Sequence, residues 1–125
     1  MVQIAVVDDD PSVRTGLSRL LCAFGFEVNS FASAEEFLVY LASNGPDCLI
    51  LDRQLGGMSG DELMAELTTR GTELPTVVIS ATEERAYDQR HLSDGRIVVR
   101  LRKPFGAAAL LDAVQLVIRQ HQQAT

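Results

Sequence analysis

The sequence is poor in the features that mark several classes of protein. Its 125 residues contain no apolar run near the roughly 20 residues that a membrane-spanning helix needs. Basic residues number 11 against 17 acidic ones, and the net charge of −6 argues against direct binding of nucleic acid. The two cysteines, Cys22 and Cys48, both lie in apolar runs, and we expect reduced core thiols rather than a disulfide. No basic, signal-like segment precedes the first apolar run, so we expect a cytoplasmic protein without membrane contact.

Apolar segments alternate with amphipathic ones along the whole chain. Apolar residues make up 46% of the sequence and charged residues 22%, which is typical of one globular domain over residues 1–125. Runs rich in β-branched and aliphatic residues predict strands at 2–7, 27–31, 48–52, 75–79 and 97–99. Helical spacing predicts helices at 11–24, from 33, from 59, from 82 and at 106–120. Five alternating strands and helices predict a parallel sheet that is covered on both faces.

Capping signals support three of the predicted helix starts. Asp10 precedes Pro11, which suits the first turn of a helix because its missing N–H is not needed there. Ser33–Glu36 and Ser59–Glu62 have the spacing of capping boxes. The helix from Thr82 has a poor apolar stripe, so we expect it to be short and weakly held. We expect the glutamine-rich end of the chain, beyond residue 120, to be frayed.

Polar side chains follow four of the five predicted strands. Asp8 and Asp9 end the first strand, Asp52 the third and Ser80 the fourth, and Lys103 comes shortly after the fifth. Because the carboxyl ends of parallel strands meet at one edge of a sheet, we expect these side chains to converge.

A cluster of this composition suits phosphoryl transfer. Converging carboxylates repel one another unless a cation joins them, and Mg²⁺ binds one or two carboxylates together with water and phosphate oxygens. We predict that Asp52 attacks in line and becomes an acyl phosphate, while Ser80 and Lys103 meet oxygens of the transferring group. Taken singly, each of these residues is more often a turn former or a solvated charge. Asp10 is predicted to be a helix cap rather than a ligand.

Four motifs occur in a fixed order in the chain. They are Val6-Val7-Asp8-Asp9-Asp10, Leu51-Asp52 with the loop Gly57-Met58-Ser59-Gly60, Ile79-Ser80-Ala81, and Lys103-Pro104-Phe105. Together they resemble the receiver domain of bacterial two-component response regulators, over essentially the whole chain. Each motif alone is common, whereas four in order at these spacings are a specific match.

The resemblance implies a fold and a partner. The fold would be flavodoxin-like α/β, a doubly wound five-stranded parallel sheet of order 2-1-3-4-5 with five helices, and the Lys103–Pro104 bond would be cis. A sensor histidine kinase or a phosphotransfer protein would donate its phosphoryl group to Asp52. The domain would then act as a switch in signal transduction or phosphorelay, without a turnover substrate of its own.

The resemblance also implies roles for single residues. Asp9 and Asp52 would bind Mg²⁺ with the backbone carbonyl of Gln54, and Asp8 would help through a water. The side chains of Gln54 and Thr82 would flank the attacking water and set the lifetime of the phosphate.

Two departures from the family pattern concern the switch. Gly56 stands where the family usually has Pro, and Arg100 stands where it usually has Phe or Tyr. In the family that ring turns inward as the Ser or Thr moves toward the phosphate, and an arginine cannot be buried there without a partner. We expect Ser80 to keep its role and Arg100 to alter the output face, which comprises the fourth helix, fifth strand and last helix. A homodimer would use that face.

Two other functions remain open at this point. A phosphatase with an aspartyl-phosphate intermediate usually has Asp-x-Asp at its nucleophile, whereas Asp52 is followed by Arg53-Gln54. A phosphate-independent adaptor would keep the fold and bind its partner through the face that carries Arg100. The complete set of Asp8, Asp9, Asp52, Ser80 and Lys103 favours phosphorylation over both.

Overall fold

The computed structural model describes residues 2–80, 90–93, 96–103 and 105–124. In chain order the elements are β1 (Gln3–Val7), α1 (Pro11–Ala23), β2 (Glu27–Phe31), α2 (Ala34–Leu41), β3 (Cys48–Asp52), α3 (Gly60–Thr69), β4 (Thr76–Ser80), β5 (Arg90–Ser93), β6 (Arg96–Arg102) and α4 (Ala107–Ala124).

The strands form one sheet in the order β2-β1-β3-β4-β6-β5. All neighbours are parallel except β5, which runs antiparallel to β6. The parallel strands therefore have the expected 2-1-3-4-5 order, with β6 as the fifth, and the arrangement is flavodoxin-like α/β. The expected count of five strands is wrong, because the described part of the chain has a sixth, β5, at the edge of the sheet.

Two apolar clusters lie on opposite faces of the sheet. Ile4, Ile50 and Ile79 belong to a cluster with residues of α1 and α4, whereas Val7 and Leu51 belong to a cluster with residues of α2 and α3. Successive residues of a strand point to opposite faces, so a fully apolar strand supplies both clusters. Strand β3 is buried along its whole length, as its continuous apolar run predicts.

The three helix starts that carry capping signals are confirmed. The Asp10 side chain accepts the Ser12 N–H at the start of α1, and the Ser33 side chain accepts the Glu36 N–H at the start of α2. Ser59 and Glu62 form a complete capping box before α3. These caps fix where each helix leaves the carboxyl edge of the sheet, and hence the loops around the acidic residues.

Several expectations are corrected. Cys48 is buried, but Cys22 is exposed, because it follows the buried Leu21 and is rotated about 100° from it around α1. Helix α4 runs to Ala124, so the glutamine-rich end is helical as far as that residue; glutamine and alanine are good helix formers. The helix predicted from Thr82 lies in residues outside the described part, and its expected end is occupied by strand β5. Among the described helices, none has the length and hydropathy needed to cross a bilayer.

Candidate functional site

Strand β3 delivers Asp52 to the carboxyl edge of the sheet. The side chain is buried, and its Oδ1 accepts the Gln54 N–H at 2.9 Å, which fixes the carboxylate against the start of the following loop. The end of that loop returns close to the strand: a Cβ on Gly60 would lie 2.7 Å from the Arg53 Cα and 2.8 Å from the Asp52 carbonyl oxygen. Glycine at position 60 thus allows α3 to begin directly against the backbone of Asp52.

Strand β1 delivers Asp8 and Asp9 to the same edge. Asp8 is buried, and its Oδ1 accepts the Asp10 N–H at 2.9 Å, while its backbone carbonyl accepts Arg14 Nη1 at 2.7 Å. Asp9 is exposed, and its Oδ2 accepts the Gly56 N–H at 3.3 Å. The two neighbouring carboxylates therefore differ: one is inside the domain, and the other lies at its surface against the loop after β3.

Asp8, Asp9 and Asp52 form an acidic cluster. Each can offer one carboxylate oxygen such that the three oxygens lie within 4.8 Å of one another. Asp8 Oδ2 is buried and has no hydrogen-bond partner among the described residues. The pKa of Asp8 is raised to about 6, mainly by burial. The hydrogen bond from the Asp10 N–H opposes this rise, and the charge of Asp52 adds to it. An unpartnered buried oxygen beside two other carboxylates fits the hard oxygen donors that Mg²⁺ requires.

Lys103 brings a positive charge to this cluster. Its Nζ lies 3.4 Å from Asp52 Oδ2, and its side chain is about one-third exposed. The backbone sets this position, because the Lys103 N–H donates to the Ser80 carbonyl at 2.8 Å, directly beyond the pairing of Ser80 with Arg102. An ammonium beside the Asp52 carboxylate can neutralise charge on a group that is attached there.

The same type of backbone bond extends the ladder at the other site strands. The Asp8 N–H donates to the Phe31 carbonyl at 3.1 Å, and the Arg53 N–H donates to the Ile79 carbonyl at 2.9 Å. These bonds lie beyond the ends of the paired strands and hold the edge that carries the site.

Some of the predicted site residues have their side chains in the cluster, and others contact it through their backbone. Asp8, Asp9, Asp52 and Lys103 converge as expected. Ser80 ends β4, half-buried, with its backbone bonded to Lys103. Gln54 is exposed and contacts Asp52 through its backbone N–H.

Three predictions fall on parts that are not described. Thr82 and the peptide bond to Pro104 lie outside the described residues, as does the side chain of Arg100. The backbone of Arg100 belongs to β6 and pairs with Val78.

Asp10 is a cap, as predicted. Its Oδ1 accepts both the N–H and the hydroxyl of Ser12, at 2.9 and 2.7 Å, and these bonds lower the pKa of the Asp10 carboxyl. Glu35 was not among the predicted site residues, yet its Oε2 accepts the Met58 N–H at 3.2 Å. In the sequence, Glu35 follows the predicted helix cap Ser33, and this position indicates only the start of a helix. It does not predict a contact with the loop after β3.

Comparison with known proteins places the chain in a family. Residues 4–115 match the family model described as the response regulator receiver domain. The transcriptional regulatory protein TdiR of Thauera aromatica is 32% identical over 120 residues, which are 96% of this chain and 52% of that protein. The chain thus spans about half the length of the curated relatives it matches.

Solved structures agree with this family. The response regulator StyR is 40% identical with a TM-score of 0.80, over 97% of this chain and 61% of that one. The response regulator protein TrrA of Thermotoga maritima, determined in complex with Mg²⁺ and BeF, is 26% identical with a TM-score of 0.79, over 94% of this chain and 99% of that one. With the acidic cluster at the carboxyl ends of β1 and β3 and the lysine after β6, the chain belongs to the response regulator receiver domain family.

Proposed function

We propose that Asp52 of this receiver domain accepts a phosphoryl group from a histidine kinase or a phosphotransfer protein of a two-component system, in the cytoplasm. One observation carries the assignment: the buried Asp52 carboxylate has oxygens of Asp8 and Asp9 within 4.8 Å and the Lys103 ammonium at 3.4 Å. Among the three carboxylates, Asp52 is the one that contacts Lys103 and also accepts a backbone N–H from its own loop. This fixes its orientation.

The acidic cluster would hold Mg²⁺. Asp9 and Asp52 would bind the ion with the backbone carbonyl of Gln54, and Asp8 would bind through a water, which would satisfy its unpartnered Oδ2. The Mg²⁺ complex of TrrA supports this reading by similarity. When bound, the ion supplies positive charge that lowers the repulsion between the carboxylates and the incoming phosphoryl oxygens.

In the transfer, an oxygen of Asp52 forms a bond to phosphorus as the bond from phosphorus to the donor's histidine nitrogen breaks. The donor nitrogen keeps the electron pair of that bond, and Asp52 becomes an acyl phosphate. Lys103 and Ser80 meet oxygens of the new phosphate. Hydrolysis later restores Asp52, with the side chains of Gln54 and Thr82 beside the attacking water, so the domain has no separate turnover substrate.

The phosphate then acts as a switch. It adds negative charge beside Lys103 and Ser80 and draws both toward Asp52, which biases two arrangements of the chain after β4. Arg100 takes the place of the usual aromatic residue in β6, so the output face comprising the segment after β4, strand β6 and helix α4 would respond differently here. A homodimer would form through that face.

A small phosphodonor tests the assignment. Acetyl phosphate and Mg²⁺ should add one phosphoryl group to the wild-type protein, as measured by intact mass. The variant Asp52→Asn should remain unlabelled, and Asp61→Asn, which alters an exposed carboxylate paired with Arg53, should be labelled like the wild type. Labelling of Asp52→Asn at the wild-type rate would refute the assignment. Partner binding that needs phosphate would further exclude the adaptor function, which the family match already disfavours.

A further inference from the structure

The loop between β3 and α3 is held by two carboxylates from different elements. Asp9, after β1, accepts the Gly56 N–H at 3.3 Å, and Glu35, in the first turn of α2, accepts the Met58 N–H at 3.2 Å. The two donors are separated in the chain by Gly57 alone. The segment Gly56–Met58 therefore connects a carboxylate of the acidic cluster to a carboxylate outside it.

Gly57 makes this arrangement possible. Its φ is +70°, a conformation that a side chain disfavours, and a Cβ there would lie 3.2 Å from Glu35 Oε2. The residue thus turns the chain so that the N–H groups on either side meet two different acceptors, and it leaves room for Glu35 to approach. Position 56 is less demanding, because a Cβ there would lie 4.0 Å from Asp9 Oδ2, an ordinary contact.

We propose that Glu35 is a positioning residue for the metal site, because its bond to the Met58 N–H holds the Gly56 N–H against the Asp9 carboxylate. The inference rests on the proposed function, in which Asp9 binds Mg²⁺. Asp9 is exposed, and this bond restrains the orientation of its side chain within the 4.8 Å cluster. Groups that orient a ligand raise metal affinity by reducing the freedom that the ligand loses on binding.

Calorimetric titration of the metal-free protein with Mg²⁺ tests the chain of contacts. Glu35→Ala should weaken Mg²⁺ binding by roughly tenfold, the lower end of the loss seen when a group that orients a metal ligand is removed. Glu35→Gln keeps a side-chain oxygen acceptor without the charge, and it should restore affinity to near the wild-type value. Glu36→Ala is the matched control: Glu36 is the exposed neighbour in the same helical turn, it contributes its backbone N–H to the Ser33 cap, and its substitution should change nothing.

A second variant breaks the other contact in this series, the bond from the Gly56 N–H to Asp9. Gly56→Pro installs the residue that the family usually has at this position, but in this chain it removes the donor to Asp9. If Asp9 depends on that donor here, the variant should bind Mg²⁺ as weakly as Glu35→Ala, whereas Gly56→Ala keeps the N–H and should bind like the wild type. Since both changes act on one orientation of Asp9, the double variant Glu35→Ala/Gly56→Pro should be no weaker than either single variant. Equal and independent losses that multiply in the double variant would overturn the proposal, as would wild-type affinity in Glu35→Ala.

Hydrogen exchange of the Gly56 amide gives a readout without metal. Exchange should be faster in Asp9→Ala and in Glu35→Ala than in the wild type, and unchanged in Glu36→Ala. If the wild type bound no Mg²⁺, the proposed function would fail while this measurement would still decide the contact between Glu35 and the loop. If the wild type bound Mg²⁺ but the exchange rate of the Gly56 amide were the same in Glu35→Ala as in the wild type, the proposed function would stand and this inference would be wrong.

Discussion

The Lys103 ammonium lies 3.4 Å from Asp52 Oδ2, although the two residues are 51 positions apart in the chain. The contact depends on the sheet, because β4 lies between β3 and β6 and the Lys103 N–H is bonded to the Ser80 carbonyl at the end of β4. Lys103 therefore approaches Asp52 across the intervening strand β4, and a long side chain is needed for its ammonium to reach the Asp52 carboxylate.

Lys103→Met keeps most of the side-chain length and removes the charge. Labelling of Asp52 by acetyl phosphate should slow by on the order of 10²-fold, because one preorganised positive group at the developing charge is lost. The rate of phosphoryl incorporation at saturating Mg²⁺ measures the effect. Arg119→Met, which removes an exposed cation of α4, is the control and should be labelled normally. A wild-type rate in Lys103→Met would contradict the role given to the ammonium.

Asp8→Asn should stabilise the metal-free protein at neutral pH. The pKa of Asp8 is raised from 3.8 to about 6, so the folded state binds a proton more readily than the unfolded state. Its contribution to stability is therefore lost as pH rises through that interval, and Asn, which cannot ionise, avoids the loss. We expect a gain of roughly 3 kcal/mol in the free energy of unfolding at pH 7.5.

The pH dependence provides the control for Asp8→Asn. Urea unfolding in the presence of a chelator should show the full gain at pH 7.5 and only about a third of it at pH 4.5, where Asp8 is protonated in the folded state but mostly ionised in the unfolded state. The variant should also lose most of the stabilisation that Mg²⁺ gives the wild type, since ligand binding to the folded state stabilises it. A destabilised Asp8→Asn protein at pH 7.5 without metal would contradict the burial argument.

Gly60→Ala should destabilise the fold and disturb the site together. Its Cβ would lie 2.7 Å from the Arg53 Cα and 2.8 Å from the Asp52 carbonyl oxygen, and neither backbone can yield cheaply. The expected cost is about 1–3 kcal/mol of unfolding free energy. Gly16→Ala is a contrasting variant inside α1. Apart from the neighbouring residues and the local helix backbone, nothing described lies within 4 Å of its new Cβ, and it should stabilise by about 0.5–1 kcal/mol. If urea unfolding showed that both variants change the free energy of unfolding in the same direction, the close approach at Gly60 would not explain the effect of Gly60→Ala.

Gln54→Ala and Thr82→Ala should change how long the phosphate persists without preventing its attachment. Gln54 follows Asp52 by two residues and is exposed, so its side chain can meet water that approaches the acyl phosphate. Decay of the labelled protein after removal of the phosphodonor measures the lifetime. Gln115→Ala, on the exposed part of α4, is the control. Unchanged decay in both site variants would count against the assignment of the lifetime to these positions.

Much of the fold could be predicted because its determinants are local. Strand β3 is an unbroken apolar run, and the starts of α1 and α3 are marked by Asp10 and by the Ser59–Glu62 box. The convergence of Asp8, Asp52 and Lys103 follows from parallel pairing alone. Each of these inferences needs only the residues of one element and the rule that parallel strands end at a common edge.

The remaining features depend on contacts between distant residues. Strand β5 pairs antiparallel with β6, and the Asp94-Gly95 dipeptide between them in the sequence is typical of two-residue hairpins. The dipeptide alone predicts a turn, and the pairing of β5 depends on the position of β6. The bond from Met58 to Glu35 joins residues 23 positions apart and requires α2 to lie beside the loop after β3. No spacing in the sequence encodes that neighbour relationship.

The three backbone amides of Asp8, Arg53 and Lys103 are each fastened to the carbonyl of an adjacent strand, beyond the last paired residues of the ladder. The backbone around a newly attached phosphate is therefore rigid. We expect the phosphate to act through reorientation of side chains and displacement of whole elements at the edge of the domain. The protection of these three amides from hydrogen exchange should accordingly be unchanged by phosphorylation. Elements farther from Asp52 would move, while the strand ends around it keep their positions.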